Sequence, residues 1–281
     1  MLCFRLFSES NPAVPLADAV SQLREGQAPK DLYAVEPASF QQIPNAPFAY
    51  WVSERIRRLF IELPAFDGDG RTVCVGLQTS DDFRFVRVDW ETPTVMNMGN
   101  PVQWFTFAKG GGYAPFYGDI ALKINYAANG SELLHFGPSV IRNAEFYHKS
   151  GLTWSRRPSK LGSFRVLPRG VVFSVNGPSA FISTPALIME AIGLTNSKPF
   201  NYLVRLLFSR GGEGSGQTLT YEVGYVGSTP VPFSSKGHTG LFIEHVSIAW
   251  STKRRTDTAT LSSHAFLAPA LAPCRKLQPT R

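Results

Sequence analysis

The chain has 281 residues, of which 43% are hydrophobic and 17% are charged, and its formal net charge is +7. This length can bury a core as one large domain or as two small ones. The three cysteines are too few and too scattered for a disulfide framework, and neither a signal peptide nor a run of about 20 apolar residues is present, so the composition predicts a cytoplasmic protein without a membrane partner.

The positive charge is concentrated in the second half of the chain. Residues 1–140 carry 11 basic and 15 acidic side chains, residues 141–170 carry 7 and 1, and residues 171–281 carry 10 and 5. Because polyanions bind where Lys and Arg are concentrated, this asymmetry predicts a nucleic-acid partner.

The N-terminal part of the chain predicts a linker, then a helix and a strand. Residues 1–45 are rich in Pro and Ala without a sustained period, and we expect a leader or linker from a missing catalytic domain. Asn45-Ala-Pro opens an amphipathic helix that the turn at residues 67–70 ends, and residues 72–78, "TVCVGLQ", have the composition of a strand. The apolar face of the helix comprises Phe48, Val52, Ile56, Leu59 and Leu63, and the other faces carry Glu54, Arg55, Arg57 and Arg58.

Further strands are predicted in the middle of the chain. Residues 86–90 and 120–126 alternate apolar and polar side chains, as half-buried strands do. The string "AANGSE" (127–132) predicts a turn. The strings "SFRVL" and "GVVFSV" follow as two strands, which Pro168-Arg169-Gly170 separates.

Two helices and one more strand are predicted next. One helix begins after Thr184, and the other covers residues 200–208, where every third or fourth residue is apolar. Residues 211–216 predict a flexible loop and residues 220–226 a last strand, and no packed element is predicted beyond residue 250. The whole pattern predicts an α+β fold, a strand-rich mixed sheet with several short helices over residues 46–235, followed by a partly disordered or truncated tail over residues 236–281.

The search for enzyme motifs is negative. The five histidines, at positions 135, 148, 238, 245 and 264, lie far apart without a metal-binding pattern, and "GGEGSG" lacks the Lys-Ser/Thr of a phosphate loop. Asp81 and Asp82 could bind a metal or act as an acid/base pair, but adjacent side chains usually point apart, which favours a solvated turn. We therefore predict no catalytic, cofactor-binding or metal-binding residue on this chain.

The first candidate binding site is "FAKGGGYAPFYGD" (107–119). Gly110, Gly111 and Gly112 let the backbone approach a ligand closely, and Lys109 and Tyr113 supply a cation and an aromatic face. This combination suits a nucleic-acid backbone, whose phosphates meet amide N–H groups and Lys. A glycine hairpin packed against aromatic rings explains the same residues equally well.

The second candidate is "HKSGLTWSRRPSKLGSFRVLPRG" (148–170), in which six of the 23 residues are Lys or Arg. Neutralising several DNA phosphates requires several Lys or Arg side chains. Recognising bases requires a few Arg guanidinium groups or side-chain amides that bond to the base edges. A solvated surface loop usually intersperses acids, but the 27 positions 146–172 contain none. Nucleic-acid contact is the favoured interpretation.

Strings along most of the chain resemble, in the same order, one region of a known family. They are "APFAYWVSERIRRLF", "VGLQTSDDFRFVRVDWE", "WFTFAKGGGYAPFYGDIALKINYAANGSEL", "RNAEFYHKSGLTWSRR", "SFRVLPRGVVFSVNGPSAF", "GLTNSKPFNYLVRLLF", "YEVGYVGSTPVP" and "AWSTKRRTDTATLSSHAFLAPAL". The region is the C-terminal specificity (target-recognition) region of large adenine-specific DNA methyltransferases, of the single-chain restriction-modification type and the PglX type of BREX phage-defence systems. The resemblance spans about residues 44–271, and it rests on the number and order of the strings.

The resemblance implies a parent enzyme that transfers a methyl group from S-adenosylmethionine to the N6 of an adenine in a short DNA site. In the family an Asn-Pro-Pro-aromatic motif lies upstream, in the catalytic domain. Here Asn11-Pro12 is followed by Ala-Val and Asn100-Pro101 by Val-Gln, so neither is that motif. We expect a fragment that binds no cofactor, is inactive alone, and works with a methyltransferase catalytic domain on the same parent chain or on a separate fragment.

The resulting hypothesis is a target-recognition domain that binds double-stranded DNA. Residues expected to hold phosphates are Lys109, Gly110, Gly111, Gly112, Lys149, Arg156, Arg157 and Lys160, and those expected nearer the bases are Arg142, Asn143, Trp154, Ser163 and Arg165. An alternative is a structural module that docks a partner subunit through its many aromatic residues and has no DNA affinity. A third possibility, complete methyltransferase activity, would require the catalytic motif.

Overall fold

The computed structural model describes residues 1–6, 11–92, 103–208, 219–233, 240–263 and 265–267. The strands are β1 (Leu2–Phe4), β2 (Leu32–Ala34), β3 (Arg71–Cys74), β4 (Val86–Val88), β5 (Trp104–Ala108), β6 (Leu122–Asn125), β7 (Gly151–Thr153), β8 (Arg165–Leu167), β9 (Val172–Phe173) and β10 (Ser179–Ile182). The α-helices are α1 (Ala13–Arg24), α2 (Glu54–Glu62), α3 (Asp82–Phe85), α4 (Ala127–His135), α5 (Ile188–Thr195), α6 (Lys198–Phe208), α7 (Val223–Ser228) and α8 (Gly240–Asp257). No described helix is long and apolar enough to cross a lipid bilayer.

Two four-stranded sheets form the centre of the molecule. Sheet I has the order β3-β10-β7-β8 and is antiparallel throughout, and sheet II has the order β4-β6-β5-β9, in which only the pair β5-β9 is parallel. The chain leaves sheet I after β8, adds β9 to sheet II, and returns to sheet I as β10. The mixture of helices with antiparallel and mixed sheets confirms the predicted α+β class.

Each sheet has its own apolar core. Sheet I packs against α5, α6 and α7, and four aromatic side chains, Phe66, Trp154, Phe164 and Tyr221, are completely buried there. The core beside sheet II contains the fully buried rings of Phe85 and Phe173. Because large aromatic side chains bury the most apolar area, these rings stabilise the frame from which the surface loops project.

The predicted helices α5 and α6 are confirmed. A 3₁₀ turn at Pro185–Leu187 leads into α5, and Phe200, Leu203, Val204 and Leu207 of α6 are all buried. In contrast, the helix predicted from Asn45 begins only at Glu54, because Asn45 and Ala46 have positive φ angles of 65° and 43°.

Two local predictions were wrong and a third was incomplete, for identifiable reasons. Arg57, expected on a polar face of α2, is 5% exposed, and its guanidinium donates to Ser39 Oγ and to the Val52 carbonyl. Residues 220–226 are not a strand: residues 220–222 are coil and α7 begins at Val223, with Val226 packed into the core beside sheet I. The string "AANGSE" makes the expected turn, with left-handed backbone at residues 128–130, but it continues directly into the rest of α4.

The two ends of the described chain contain more structure than expected. The segment predicted as a leader contains β1, α1 and β2, and the pair β1-β2 is antiparallel. Helix α8 extends to Asp257, and its Val246 is buried in the core beside sheet I. Residues beyond α8 fold back, and Ser263 Oγ donates to Asp119 Oδ1 at 3.0 Å. The loop predicted at residues 211–216 lies outside the described residues, and the division into domains stays a prediction.

Candidate nucleic-acid interface

The antiparallel pairing of β7 and β8 divides the basic stretch 148–170 into two groups. Gly151 faces Leu167, and Thr153 faces Arg165. Residues 154–164 therefore connect the strands at one end, which we call the hairpin tip, and residues 148–150 and 168–170 lie together at the other end, the hairpin base. Residues 109–113, the glycine loop, adjoin the tip.

Side chains of the hairpin hold the glycine loop from behind. The Arg165 guanidinium donates to the carbonyls of Gly110 and Gly112, at 2.5 and 3.3 Å, and Ser155 Oγ donates to the Gly111 carbonyl at 2.6 Å. All three glycine carbonyls are thus bonded on the protein side. Within the described residues their amide N–H groups have no hydrogen-bond partner, and Gly111 and Gly112 are exposed, so their two backbone donors are open to a ligand.

The conformation of the glycine loop requires glycine at two positions. Gly110 and Gly111 have φ angles of 86° and 137°, in a region that side chains rarely adopt. A Cβ atom at Gly110 would also lie 2.7 Å from the Asn176 carbonyl oxygen. Gly110 therefore packs closely against the loop that follows β9, and the predicted close approach to a ligand stays a prediction.

Three residues predicted to lie nearer the bases are buried. Trp154, Ser163 and Arg165 are 0%, 1% and 4% exposed. Trp154 Nε1 donates to the Tyr221 carbonyl at 2.9 Å, and Ser163 Oγ accepts from the Ala114 amide at 3.2 Å. Burial lowers the pKa of Arg165. In this structure Arg165 supports the glycine loop, Ser163 bonds to the residue that follows it, and Trp154 belongs to the core beside sheet I, so these side chains are not exposed for direct contact.

Two predicted phosphate ligands already have acidic partners. Lys109 Nζ pairs with Asp82, and Arg156 Nε donates to both carboxylate oxygens of Glu222, at 2.8 and 2.9 Å. Burial acts to raise the pKa of Asp82, but hydrogen bonds from Lys109 and Thr79 and the attraction of Lys109 outweigh it, so the pKa is lowered. These pairs border a cleft of about 380 Å³, whose positive charge is locally balanced.

Two cations at the hairpin tip are exposed and have no acidic partner among the described residues. They are Arg157 and Lys160. The Lys160 Nζ atom lies 5.7 Å from the ring centroid of Tyr113, which is 48% exposed. The tip therefore presents a cation–aromatic pair beside the free amides of the glycine loop.

Two more cations of this kind lie at the hairpin base. Lys149 and Arg169 are exposed, and the pairing of Gly151 with Leu167 sets them opposite each other. Arg142 is exposed as well. Asn143 has a left-handed backbone, and its Nδ2 donates to the Val75 carbonyl at 2.8 Å, so its amide has a local structural contact.

Sequence reasoning missed the residues that complete these contacts. Ser155 and Glu222 were not singled out, and Asp82 was considered only as a metal or acid/base candidate. Glu222 and Arg156 are 66 positions apart, and Lys109 and Asp82 are 27 apart, so no local pattern could pair them. Ser155 follows Trp154 directly after β7, and only the folded loop reveals its hydroxyl as a donor.

The glycine loop is not the glycine turn of a dinucleotide-binding fold. It follows β5 but leads through coil into β6, whereas that turn leads from a strand into a helix. Asn11 Oδ1 accepts from the Ala13 amide at 3.1 Å at the start of α1, and Asn100-Pro101 lies outside the described residues. No group of three metal-ligating side chains is found in the described part of the chain.

Comparison with known proteins shows distant homology to adenine-specific methyltransferases over part of this chain. It is 29% identical to the adenine-specific methyltransferase BrxX of Escherichia coli O9:H4 (strain HS) over 199 residues. These aligned residues make up 68% of this chain and 15% of the relative. It is 23% identical to the adenine-specific methyltransferase PglX of Lacticaseibacillus casei (strain Zhang) over 250 residues. These aligned residues make up 84% of this chain and 20% of the relative. The chain thus spans a fifth or less of the length of these curated relatives. No protein-family model matches it.

Proposed function

We propose that the chain is the DNA target-recognition portion of an adenine-specific (N6) methyltransferase that acts in restriction-modification or phage defence. The observation that carries this proposal is the hairpin β7–β8, which has no acidic residue and presents four exposed cations without acidic partners in the described structure, Lys149, Arg157, Lys160 and Arg169. Homology to two adenine-specific methyltransferases supports the proposal that the parent enzyme is of this kind.

The glycine loop and the tip cations supply complementary parts of a phosphate site. Unpaired backbone amide N–H groups can donate to phosphate oxygens, and Arg157 and Lys160 add charge that neutralises phosphates and releases counterions. Arg165 and Ser155 hold the loop in shape before DNA arrives, so little ordering entropy is lost on binding. Such contacts fix the register of the protein on the duplex.

Lys109 and Arg156 each have an acidic partner, so they are better suited to positioning the protein on DNA than to neutralising phosphate charge. Glu222 fixes the Arg156 guanidinium through two hydrogen bonds, which leaves its remaining N–H groups in a defined orientation. A planar guanidinium held in this way can donate to the edge of a guanine. In this proposal methyl transfer and binding of S-adenosylmethionine belong to a catalytic domain, on the same parent chain or a separate fragment.

The test is the salt dependence of binding to duplex DNA. We expect the double variant Arg157→Ala/Lys160→Ala to weaken binding and to reduce the log–log salt slope by about 1 per lost phosphate contact. The matched control is Arg55→Ala/Arg58→Ala, which removes two exposed cations from α2. A slope near zero for the unaltered chain, or equal slopes for both variants, would contradict the proposal.

A second candidate function is docking of a partner protein. Phe83 on α3 is 95% exposed and Trp90 is 66% exposed, on a segment that also carries Asp81, Asp82, Asp89 and Glu91. Exposed aromatic side chains with an acidic surrounding suit a basic protein surface better than DNA. Loss of association with the catalytic domain in Phe83→Ser/Trp90→Ser, with DNA binding by the chain unchanged, would assign this segment to docking.

A further inference from the structure

The hairpin base borders a second cleft, which we call the base cleft. Its volume is about 600 Å³, within the range of small-molecule sites. It lies between the hairpin base and the end of β10, at the opposite end of β7–β8 from the glycine loop. The base cleft is therefore a separate feature from the cleft that Lys109 and Arg156 border.

The charge in the base cleft is unbalanced. His148, Lys149 and Arg169 line it, and none of its described lining residues is acidic. In the described structure neither Lys149 nor Arg169 has a carboxylate partner, in contrast to Lys109 and Arg156. Cations that line a concave surface without acids attract anions more strongly than paired surface cations do.

The base cleft also contains free hydrogen-bond donors. The hydroxyl groups of Thr72, Ser150 and Ser183 line it, and among the described residues none of the three makes an internal hydrogen bond. A phosphate group offers several oxygen acceptors, which hydroxyls and cationic side chains can satisfy together. The polar part of the cleft thus matches a phosphate group.

The remaining wall of the base cleft is apolar. The partly buried Phe146 ring stacks on the buried Phe181 ring, with centroids 4.8 Å apart and an interplanar angle of 27°, while Ile182, also buried, packs into the core beside sheet I. The Lys149 Nζ atom lies 5.0 Å from the Phe146 ring centroid, where aromatic and cationic parts of the cleft meet. A ligand that fills both parts must join a flat apolar group to a phosphate.

We infer that the base cleft binds a nucleotide. Lys149, Arg169 and the hydroxyl groups would hold its phosphate, and its nucleobase would lie against the apolar wall beside Phe146. The inference deepens the proposed function and rests on it for the identity of the ligand as a nucleotide. The nucleotide is either a free mononucleotide or one unit of a DNA strand, since both present the same chemistry to the cleft.

The experiment is calorimetric titration of the full chain with dAMP, deoxyadenosine, inorganic phosphate and a short single-stranded oligodeoxynucleotide. We expect dAMP to bind at least tenfold more tightly than deoxyadenosine or phosphate alone. Lys149→Ala/Arg169→Ala should weaken dAMP binding at least tenfold, Arg169→Lys should retain most of it, and the control variant Arg55→Ala/Arg58→Ala on α2 should leave it unchanged. Both altered positions of the base variant are exposed, so thermal unfolding should confirm that it remains folded.

The outcomes separate the ligand sources and the two proposals. An oligodeoxynucleotide that competes with dAMP and depends on Lys149 and Arg169 identifies a DNA strand, and binding of dAMP alone identifies a free nucleotide. No dAMP binding at millimolar concentration, or equal binding by the base variant, overturns the inference. If duplex binding is absent but dAMP binding persists and depends on the base cations, the proposed function fails and the base cleft stands as a nucleotide site.

Discussion

At the scale of single residues, position in the fold decides what a basic side chain does. Arg157 and Arg165 belong to the same hairpin. Arg157 is exposed, whereas Arg165 is buried and donates hydrogen bonds to two backbone carbonyls. Those carbonyls lie 53 and 55 positions away in the chain, so residue type and neighbours could not reveal the contact. For Trp154 a signal existed in the sequence, because Leu152 and Trp154 are apolar residues two positions apart, the spacing of one face of a strand, and both prove to be fully buried.

Replacement of Arg165 tests whether it supports the glycine loop. Arg165→Met leaves the carbonyls of Gly110 and Gly112 without these donors, and we expect the free energy of unfolding to fall by about 2–3 kcal/mol and duplex DNA binding to weaken. Urea denaturation and DNA titration would measure the two effects. The exposed Arg157→Met should weaken DNA binding with little loss of stability. Equal stability of both variants would contradict the supporting role of Arg165.

The pair Lys109–Asp82 predicts a pH dependence with a definite sign. Because the pKa of Asp82 is lowered in the fold, the ionised carboxylate stabilises the folded state above its ordinary pKa of about 3.9, and this contribution is lost as the pH falls through the folded value. We expect the stability difference between the unaltered chain and Asp82→Asn to be constant above about pH 5 and to shrink below about pH 4. Urea denaturation at a series of pH values measures it, and a difference that grows on acidification would be the wrong sign.

At the scale of elements, the close approach of two loops shapes the candidate interface. Gly177, after β9, lies against the start of the glycine loop, and a Cβ atom there would be 2.6 Å from the Ala108 carbonyl oxygen and 2.7 Å from the Gly110 nitrogen. Gly112 in contrast has open space around the Cβ position and no positive φ angle. The two glycines therefore have different requirements although both stand near the same surface.

Alanine at these two glycines should have different effects. Gly177→Ala forces the glycine loop outward, and we expect a loss of about 1–3 kcal/mol in stability together with weaker DNA binding. Gly112→Ala should fold with nearly unchanged stability. Thermal unfolding and DNA titration of both variants measure the contrast, and a fully stable Gly177→Ala protein would show that the loop does not need this packing.

Elements with strong periodicity could be predicted from the sequence, and elements governed by tertiary packing could not. The apolar stripe of α6 and strand β8 were predicted from the local sequence, whereas β7 lies in a stretch where no strand was predicted. Residues 220–226 resemble a strand in composition, but Val226 and Tyr225 pack as a helix against α6 and the core beside sheet I. Tertiary contacts of this kind outweigh strand propensity, which is weak and depends on context.

At the scale of the whole molecule, a chain of contacts joins α8 to the hairpin tip. Phe242 and Val246 of α8 pack against Gly193 of α5, whose small size admits them. Asn196, which follows α5, accepts from the Phe164 amide at 3.0 Å and donates to the Phe164 carbonyl at 2.8 Å. Phe164 stands between Ser163, which accepts from the Ala114 amide just after the glycine loop, and Arg165, which supports that loop. Helix α8 is thus linked structurally to the candidate interface.

This chain of contacts predicts that a change in α8 affects DNA binding from a distance. Val246 is 5% exposed, and Val246→Asp would bury a carboxylate in the core beside sheet I, so we expect a loss of about 2–4 kcal/mol in stability and a weaker hold of α5 on Phe164. Ile248→Asp on the same helix is the matched control. Ile248 is 53% exposed, so this substitution adds the same charge at the surface instead of in the core. Duplex DNA titration under conditions where both variants are folded should show weaker binding for Val246→Asp alone. If both variants are as stable as the unaltered chain and bind DNA equally, α8 is an independent tail, and the hairpin keeps its shape without it.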